Sequence, residues 1–318
     1  MKIGLDVMGG DFAPEVTIVG AVAAREELSS DDRIFLFGPE DIILEKLREK
    51  NIDTDSFTII HSPEIIGMGE RPIKAFTRKP NSSIGIGLKY LKAKKIDGFA
   101  SAGNSGATMV GAMYSIHTID GVIRPSTLAM LPKESGGMNV LLDVGTNPDI
   151  KPDVLYQFAI LGSLYARSVL NVPNPKVALL NIGEEEEKGN LLCQSAFRLM
   201  KGSTDFNFYG NLESRDLLKD KADVFVCDGF TGNIVLKQFE AMYHMLVKRK
   251  LEDEFIRKLN YESYGGSPIL GVNGAVVIGH GISSAKAIKN MILHTRDIYE
   301  AELAPKIEQA MIDYMRSK

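Results

Sequence analysis

The chain has 318 residues, 44% of them apolar and 25% charged, so it is long enough to bury a core in one or two α/β domains. Its 37 basic and 41 acidic residues give a net charge of −4, and it has no tryptophan, so no nucleic-acid partner is predicted. The two cysteines, Cys193 and Cys227, lack the spacing of a disulfide or zinc framework.

The location of the protein is predicted from what the sequence does not contain. The first apolar run follows Met1 and Lys2 directly, which leaves no room for a signal peptide. No apolar run approaches the roughly 20 residues that a transmembrane helix needs. The sequence therefore predicts a cytoplasmic protein, with peripheral attachment to a membrane as the alternative, and it predicts no cofactor and no metal.

Short apolar runs alternate with amphipathic segments along the chain. In chain order, strands are predicted at residues 2–8, 34–37, 57–61, near Phe99, 128–131, 140–143 and 275–278, and helices at residues 14–28, 41–50, 82–94, 104–117 and 152–170. Residues 67–81 are predicted to be a loop with a short helix. This order predicts a three-layer α/β fold, with helices on both faces of a mostly parallel sheet, in a single domain over residues 1–318.

Residues 234–259 form a long stretch with apolar residues at helical spacing. Such a face packs on the core, meets a second subunit or rests on lipid, and the sequence leaves these alternatives open. We expect a helical projection at about residues 234–262.

Four apolar runs end in loops rich in Asn, Asp and Gly, at residues 103–106, 143–147, 181–183 and 227–233. Ligands of open parallel sheets bind at the carboxyl edge of the strands. Glycines let the backbone approach a ligand, and helix N-termini suit an anion. The four loops are therefore predicted to form one cleft for a small anion, with phosphate the preferred ligand.

Motifs spread over almost the whole chain occur in the order of one known family. Residues 6–14 carry the pattern D-x-M-G-G-D-x-A-P, and further motifs lie at residues 78–83, 101–107, 142–147, 181–184, 188–190, 227–233, 264–266 and 280–281. The ordered set resembles the acyl-acyl-carrier-protein:phosphate acyltransferases of bacterial phospholipid synthesis.

The resemblance implies a homodimeric enzyme that moves a fatty acyl group from acyl carrier protein to inorganic phosphate. The acyl phosphate product would serve a downstream membrane acyltransferase. The resemblance also implies a fold similar to isocitrate and isopropylmalate dehydrogenases and phosphotransacetylase. The stretch between Lys237 and Tyr264 is shorter than the helical hairpin that this family associates with membranes.

Phosphate is already an oxygen nucleophile near neutral pH, so positioning and electrostatics should supply most of the acceleration. The predicted catalytic residues are Lys188, Asp228 and His280. Lys188 would offset negative charge, or pair with the neighbouring glutamates 184–187. Asp228 would orient a lysine or act as a base, or cap a helix. His280 would protonate the leaving thiolate, or be structural.

The predicted substrate-binding residues are the polar and glycine residues of the loops. They are Gly10, Asp11, Asn104, Ser105, Asp143, Asn147, Asn181, Asn190, Thr231 and Asn233. A basic cluster is predicted to dock the acidic carrier protein, or to be an ordinary solvated face. It consists of Arg71, Lys74, Arg78 and Lys79.

Direct attack by phosphate is favoured over an acyl-enzyme, because the chain has no G-x-S-x-G elbow and no His next to Cys227. Two other functions stay open. One is an acyl phosphate-forming transferase that uses acyl-coenzyme A. The other is a non-catalytic, anion-binding scaffold at the membrane.

Overall fold

The computed structural model describes residues 1–317, which divide into two compact units. Unit 1 contains Met1–Thr118 and Tyr261–Glu300, and unit 2 contains Ile119–Asn260 and the C-terminal segment from Ala301. The prediction that residues 1–318 form a single domain stays a prediction.

Strands and helices alternate along the chain. The strands are β1 (Lys2–Asp6), β2 (Arg33–Gly38), β3 (Phe57–His61), β4 (Gly98–Ser101), β5 (Ser126–Pro132), β6 (Met138–Leu142), β7 (Lys176–Asn181), β8 (Asn207–Glu213), β9 (Val224–Val226), β10 (Ser267–Leu270) and β11 (Ala275–Ile278). The helices are α1 (Glu15–Glu27), α2 (Glu40–Glu49), α3 (Pro72–Arg78), α4 (Ser83–Lys92), α5 (Ser105–Ser115), α6 (Pro152–Ser168), α7 (Leu191–Met200), α8 (Gly229–Lys248), α9 (Glu254–Arg257), α10 (Ala285–Glu300) and α11 (Leu303–Ser317).

In unit 1 the strand order is β3-β2-β1-β4-β11-β10. Neighbours are parallel except β10 and β11, which are antiparallel. Helix α10 packs on α1 and on strands β1 and β4, while α4 packs on β1, β2 and β4 and on α5. Because these strands are buried by helices, they read as short continuous apolar runs. Phe37 and Phe99 lie fully buried in this core.

In unit 2 the strand order is β5-β6-β9-β7-β8. Strands β5 and β6 form an antiparallel pair, and the other neighbours are parallel. Helix α6 is buried along most of its length against β6, β7 and β9. The core around Leu141 and Phe225 also receives Leu236 and Phe239 from α8. The predicted α/β class with a mostly parallel sheet is confirmed.

The long helical stretch predicted over residues 234–259 is present as two helices, α8 and α9, and the helical projection at about residues 234–262 stays a prediction. Helix α8 begins earlier, at Gly229, because Asp228 caps it, and it ends at Lys248. Lys250 then takes a left-handed backbone with a φ of 56°, and α9 begins anew behind its own cap, Asp253. Among residues 1–317, no helix combines the length and the apolar character that crossing a bilayer requires.

Candidate functional site

Three of the four polar loops lie in unit 2, after strands that are direct neighbours. Strands β6, β9 and β7 run parallel in that order, so their carboxyl ends meet at one edge. The structure therefore brings together eight of the predicted residues. They are Asp143, Asn147, Asn181, Lys188, Asn190, Asp228, Thr231 and Asn233. The fourth loop, after β4, belongs to unit 1.

Asp143 is the internal anchor of the loop after β6. Its side chain is fully buried, and one oxygen accepts from the backbone N–H and amide Nδ2 of Asn147, at 2.6 and 2.9 Å. The other accepts from the N–H and hydroxyl of Thr127 and from the N–H of Thr146, at 3.2–3.3 Å. With both oxygens occupied by protein donors, Asp143 holds the loop in shape. Its predicted contact with substrate stays a prediction.

The loop after β6 also touches the start of α8. The Gly229 N–H donates to the carbonyl of Asn147 at 2.8 Å, while Asn147 Nδ2 donates to the carbonyl of Pro125 at 2.8 Å. Gly145, with a φ of 112°, passes so close to Asn233 that a methyl group on it would lie 3.3 Å from Asn233 Oδ1. The first turn of α8 and this loop therefore form one packed surface.

Asp228 is the N-cap of α8. One carboxylate oxygen accepts from the Thr231 N–H and the other from the Thr231 hydroxyl, both at 2.8 Å. Asp228 therefore caps the helix, which is one of the two roles that the sequence allowed for it. Its catalytic role stays a prediction. The preceding Cys227 is buried, and burial, followed by the charges of Asp228 and Asp143, raises the pKa of its thiol well above the ordinary value.

The loop after β7 is closed by Asn181 and Asn190. Asn181 Nδ2 donates to the carbonyl of Lys188 at 3.1 Å, and Asn190 Oδ1 caps α7 by accepting from the Cys193 N–H at 2.9 Å. Gly189 between them has a φ of 90°, and a Cβ there would lie 2.8 Å from that of Cys193, so only glycine fits the turn.

Lys188 lies exposed on this loop, with its aliphatic stem against Gly183. Two of the glutamates that the sequence offered as its partners are ion-paired elsewhere. Glu184 pairs with Lys221 at 2.8 Å, and Glu186 pairs with Lys201 at 2.6 Å. A catalytic role of Lys188 stays a prediction.

In unit 1, the loop after β1 meets the loop after β11. The Asp11 N–H donates to the carbonyl of Gly281 at 2.7 Å, following Gly10, which has a φ of 109°. The imidazole of His280 lies half-buried against the ring of Tyr261, with their centroids 4.3 Å apart. Among the residues described in unit 1, the predicted site residues Gly10, Asp11 and His280 thus lie on touching loops.

Asn104, in the loop after β4, is a structural clamp. Its Nδ2 donates to the carbonyls of Gly67, Met68 and Glu70 at 3.1, 3.2 and 2.9 Å, and its Oδ1 caps α5 by accepting from the Ala107 N–H at 3.0 Å. The amide therefore fixes residues 67–70 against the start of α5, where Ser105 is exposed. Phosphate binding by Asn104 and Ser105 stays a prediction.

The basic cluster lies on and beside α3. Arg71, Lys74 and Arg78 are exposed and follow each other at helical spacing. Lys79 differs, because it pairs with Glu70 at 2.5 Å and donates to the carbonyl of Ile65 at 2.7 Å. Three of the four charges thus share one accessible face.

Comparison with known proteins agrees with this geometry. The family model described as fatty acid synthesis protein matches residues 1–306. The chain belongs to the fatty acid synthesis protein family. A curated relative from Dictyoglomus turgidum, named phosphate acyltransferase, is 40% identical and is aligned over 98% of this chain and 98% of its own length.

The fold of this family member is shared with solved structures of low identity. A phosphotransacetylase from Staphylococcus aureus has a TM-score of 0.65 at 19% identity, covering 95% of this chain and 94% of its own. A 4-hydroxythreonine-4-phosphate dehydrogenase from Burkholderia phymatum has a TM-score of 0.51 at 15% identity, covering 96% and 97%. The expected likeness to the phosphotransacetylase and dehydrogenase folds is confirmed at the level of fold.

One buried pair in this family member was missed as a site feature. Asp6, at the end of β1, is 1% exposed and accepts from the Ser101 hydroxyl at 2.7 Å and from the Met8 N–H at 3.1 Å. Burial raises the pKa of Asp6 despite these hydrogen bonds. In the sequence, the only sign of this pair is that Asp6 ends an apolar strand. Its partner Ser101 lies 95 residues further along the chain, so the pair is not visible as a local pattern.

Proposed function

We propose that this protein transfers a fatty acyl group from acyl carrier protein to inorganic phosphate. A phosphate oxygen bonds to the thioester carbonyl carbon, the carbon–sulfur bond breaks, and the carrier thiolate takes up a proton. The products are an acyl phosphate and a free carrier thiol. The observation that carries the proposal is the convergence of three polar loops at the edge of β6, β9 and β7. Membership in the fatty acid synthesis protein family supports it.

The unit 2 loops have the chemistry of an anion site. Hydrogen bonds within the loops fix Asp143, Asn147, Asn181 and Asn190, so these residues act by shaping the backbone. The groups that we assign to phosphate contact are the exposed side chains of Lys188 and Asn233, while the positive ends of the α7 and α8 helix dipoles favour the anion. Such preorganised donors stabilise the charge that develops on the carbonyl oxygen.

Phosphate itself is the nucleophile in this proposal. Cys227 stays protonated and buried beneath the loops, with its sulfur 3.7 Å from the carbonyl oxygen of Asp143, so it is a poor candidate for an acyl-enzyme. Cys227→Ala should therefore keep most of the activity. Near-complete loss of activity in a folded Cys227→Ala protein would instead indicate covalent catalysis.

The proposed partners follow from the same activity. The exposed basic face of α3 suits an acidic carrier protein. The proposal also includes a homodimer and a downstream membrane acyltransferase that consumes the acyl phosphate. It places the protein in the cytoplasm, with peripheral contact to the membrane. His280 as the acid for the leaving thiolate stays within it.

The decisive experiment is an incubation of the purified protein with palmitoyl-carrier protein and inorganic phosphate. We expect acyl phosphate, trapped as its hydroxamate, and an equal amount of free carrier thiol. Turnover of palmitoyl-coenzyme A alone would move the assignment to a coenzyme A-dependent transferase. Phosphate binding without turnover of either donor would indicate a non-catalytic scaffold.

A further inference from the structure

Four large apolar side chains lie exposed beside the polar loops of unit 2. Ile182 is 79% exposed, Leu191 83%, Phe230 63% and Ile234 53%. Each stands next to a predicted site residue, because Ile182 follows Asn181, Leu191 follows Asn190, and Ile234 follows Asn233. Phe230 lies two residues after Asp228.

The segments that carry these side chains are held close to one another. The loop after β7 is closed on itself by the bond from Asn181 to the Lys188 carbonyl. Strands β7 and β9 are parallel neighbours, so the loops that follow them leave the sheet side by side and lead into α7 and α8. The four exposed apolar side chains therefore lie on adjoining segments of unit 2 that also carry the polar groups of the loops.

Single exposed apolar residues are ordinary on a protein surface, but a group of them around a polar centre marks a binding site. Here the polar centre is suited to phosphate. The molecule that must meet phosphate in the reaction has a polar thioester and a long apolar tail. The tail begins one atom from the carbon that phosphate attacks, so its first methylenes must pass beside these loops.

We propose that Ile182, Leu191, Phe230 and Ile234 form the contact surface for the part of the fatty acyl chain nearest the thioester, and so favour fatty acyl donors over an acetyl donor, which has no methylenes to place there. This inference rests on the proposed function. It assigns recognition of the proximal acyl chain to apolar side chains on the same loops and helix starts as the predicted phosphate-binding residues.

The test compares palmitoyl- and acetyl-carrier protein as donors for wild type, Ile182→Ser, Leu191→Ser and the double variant. Leu199→Ser is the matched control, because Leu199 is 51% exposed on the same helix as Leu191 and lies two turns further along it. A fully buried methylene changes affinity about fourfold, so the double variant should raise the KM for the palmitoyl donor by about tenfold. Its kcat, and the values of the control, should stay within about twofold of wild type.

The possible outcomes distinguish a failure of the acyl-contact surface from a failure of the proposed function. If wild type forms no acyl phosphate from either donor, the proposed function is wrong. If wild type is active and the double variant keeps the wild-type ratio of KM values for the two donors, the acyl-contact surface is wrong. If the substitutions change the oligomeric state by gel filtration and leave that ratio unchanged, the surface binds a second copy of the chain, which also overturns the inference.

Discussion

At the scale of single residues, the asparagines and aspartates of the loops act mainly on the backbone. The side chains of four loop asparagines form hydrogen bonds of 2.8–3.2 Å with main-chain groups. Three donate to backbone carbonyls, namely Asn104, Asn147 and Asn181, and Asn190 accepts from a backbone N–H. Because a buried amide that loses its partners is costly, Asn104 and Asn147 stabilise one loop conformation, while Asn181 and Asn190 make the same kind of bond nearer the surface. The exposed side chains of Lys188 and Asn233 are then the proposed contacts to phosphate.

Asp228 allows its structural and chemical roles to be separated. Asn is as good an N-cap as Asp, and its side chain can still bond to the N–H and hydroxyl of Thr231. Asp228→Asn should therefore keep the thermal midpoint within about 2 °C of wild type, whereas Asp228→Ala should lose about 1 kcal/mol of stability. If the carboxylate takes part in the reaction, kcat should fall by about a hundredfold in both variants.

The measurement pairs thermal unfolding with steady-state kinetics on the same preparations. Full activity of Asp228→Asn, together with reduced activity of Asp228→Ala, would assign Asp228 to capping alone.

At the scale of elements, α3 carries the predicted carrier-docking face. Arg78 is exposed at its last turn, whereas Lys79 is occupied by Glu70 and the Ile65 carbonyl. Arg78→Glu should raise the apparent KM for the carrier-linked donor by about three- to tenfold at low salt and leave kcat unchanged, because rim charges act mainly on the encounter. The effect should shrink as salt increases, since exposed charges are screened.

The control for this helix is Lys92→Glu, an equal change of charge at the exposed end of α4. Equal KM values for Arg78→Glu and Lys92→Glu at low salt would reject α3 as the docking face.

At the scale of the whole molecule, the sequence predicts what depends on neighbours in the chain. Strands β3 and β11 have the predicted bounds, because apolar runs between polar turns mark them locally. The hydrogen bonds that fix the loops join residues that are far apart in the sequence. Asp143 meets Thr127 across two strands, and Asp6 meets Ser101 at a separation of 95 residues, so no pattern predicts them. The chain also passes between the two units without a linker-like composition, so no pattern in the sequence marks where one unit ends.

The pH dependence of unfolding tests how deeply the side chain of His294 is buried. His294, on α10, lies 6% exposed, and burial lowers its pKa from 6.5 to about 4. Between these values the unfolded chain takes up a proton that the folded protein does not, so the free energy of unfolding falls as the pH drops through that window. The contribution lost between pH 7 and pH 5 is about 2 kcal/mol.

His294→Gln removes this proton uptake, so its stability should vary less over the same window. Burial also raises the pKa of Asp6, which opposes the effect of His294, but wild type and variant share that group and it cancels in their difference. Urea unfolding at pH 7 and pH 5 should therefore show the stability gap between wild type and His294→Gln changing by about 2 kcal/mol. His244→Gln, at an exposed position on α8, serves as the control. A gap that is the same at both pH values would show that His294 titrates alike in the folded and unfolded chains.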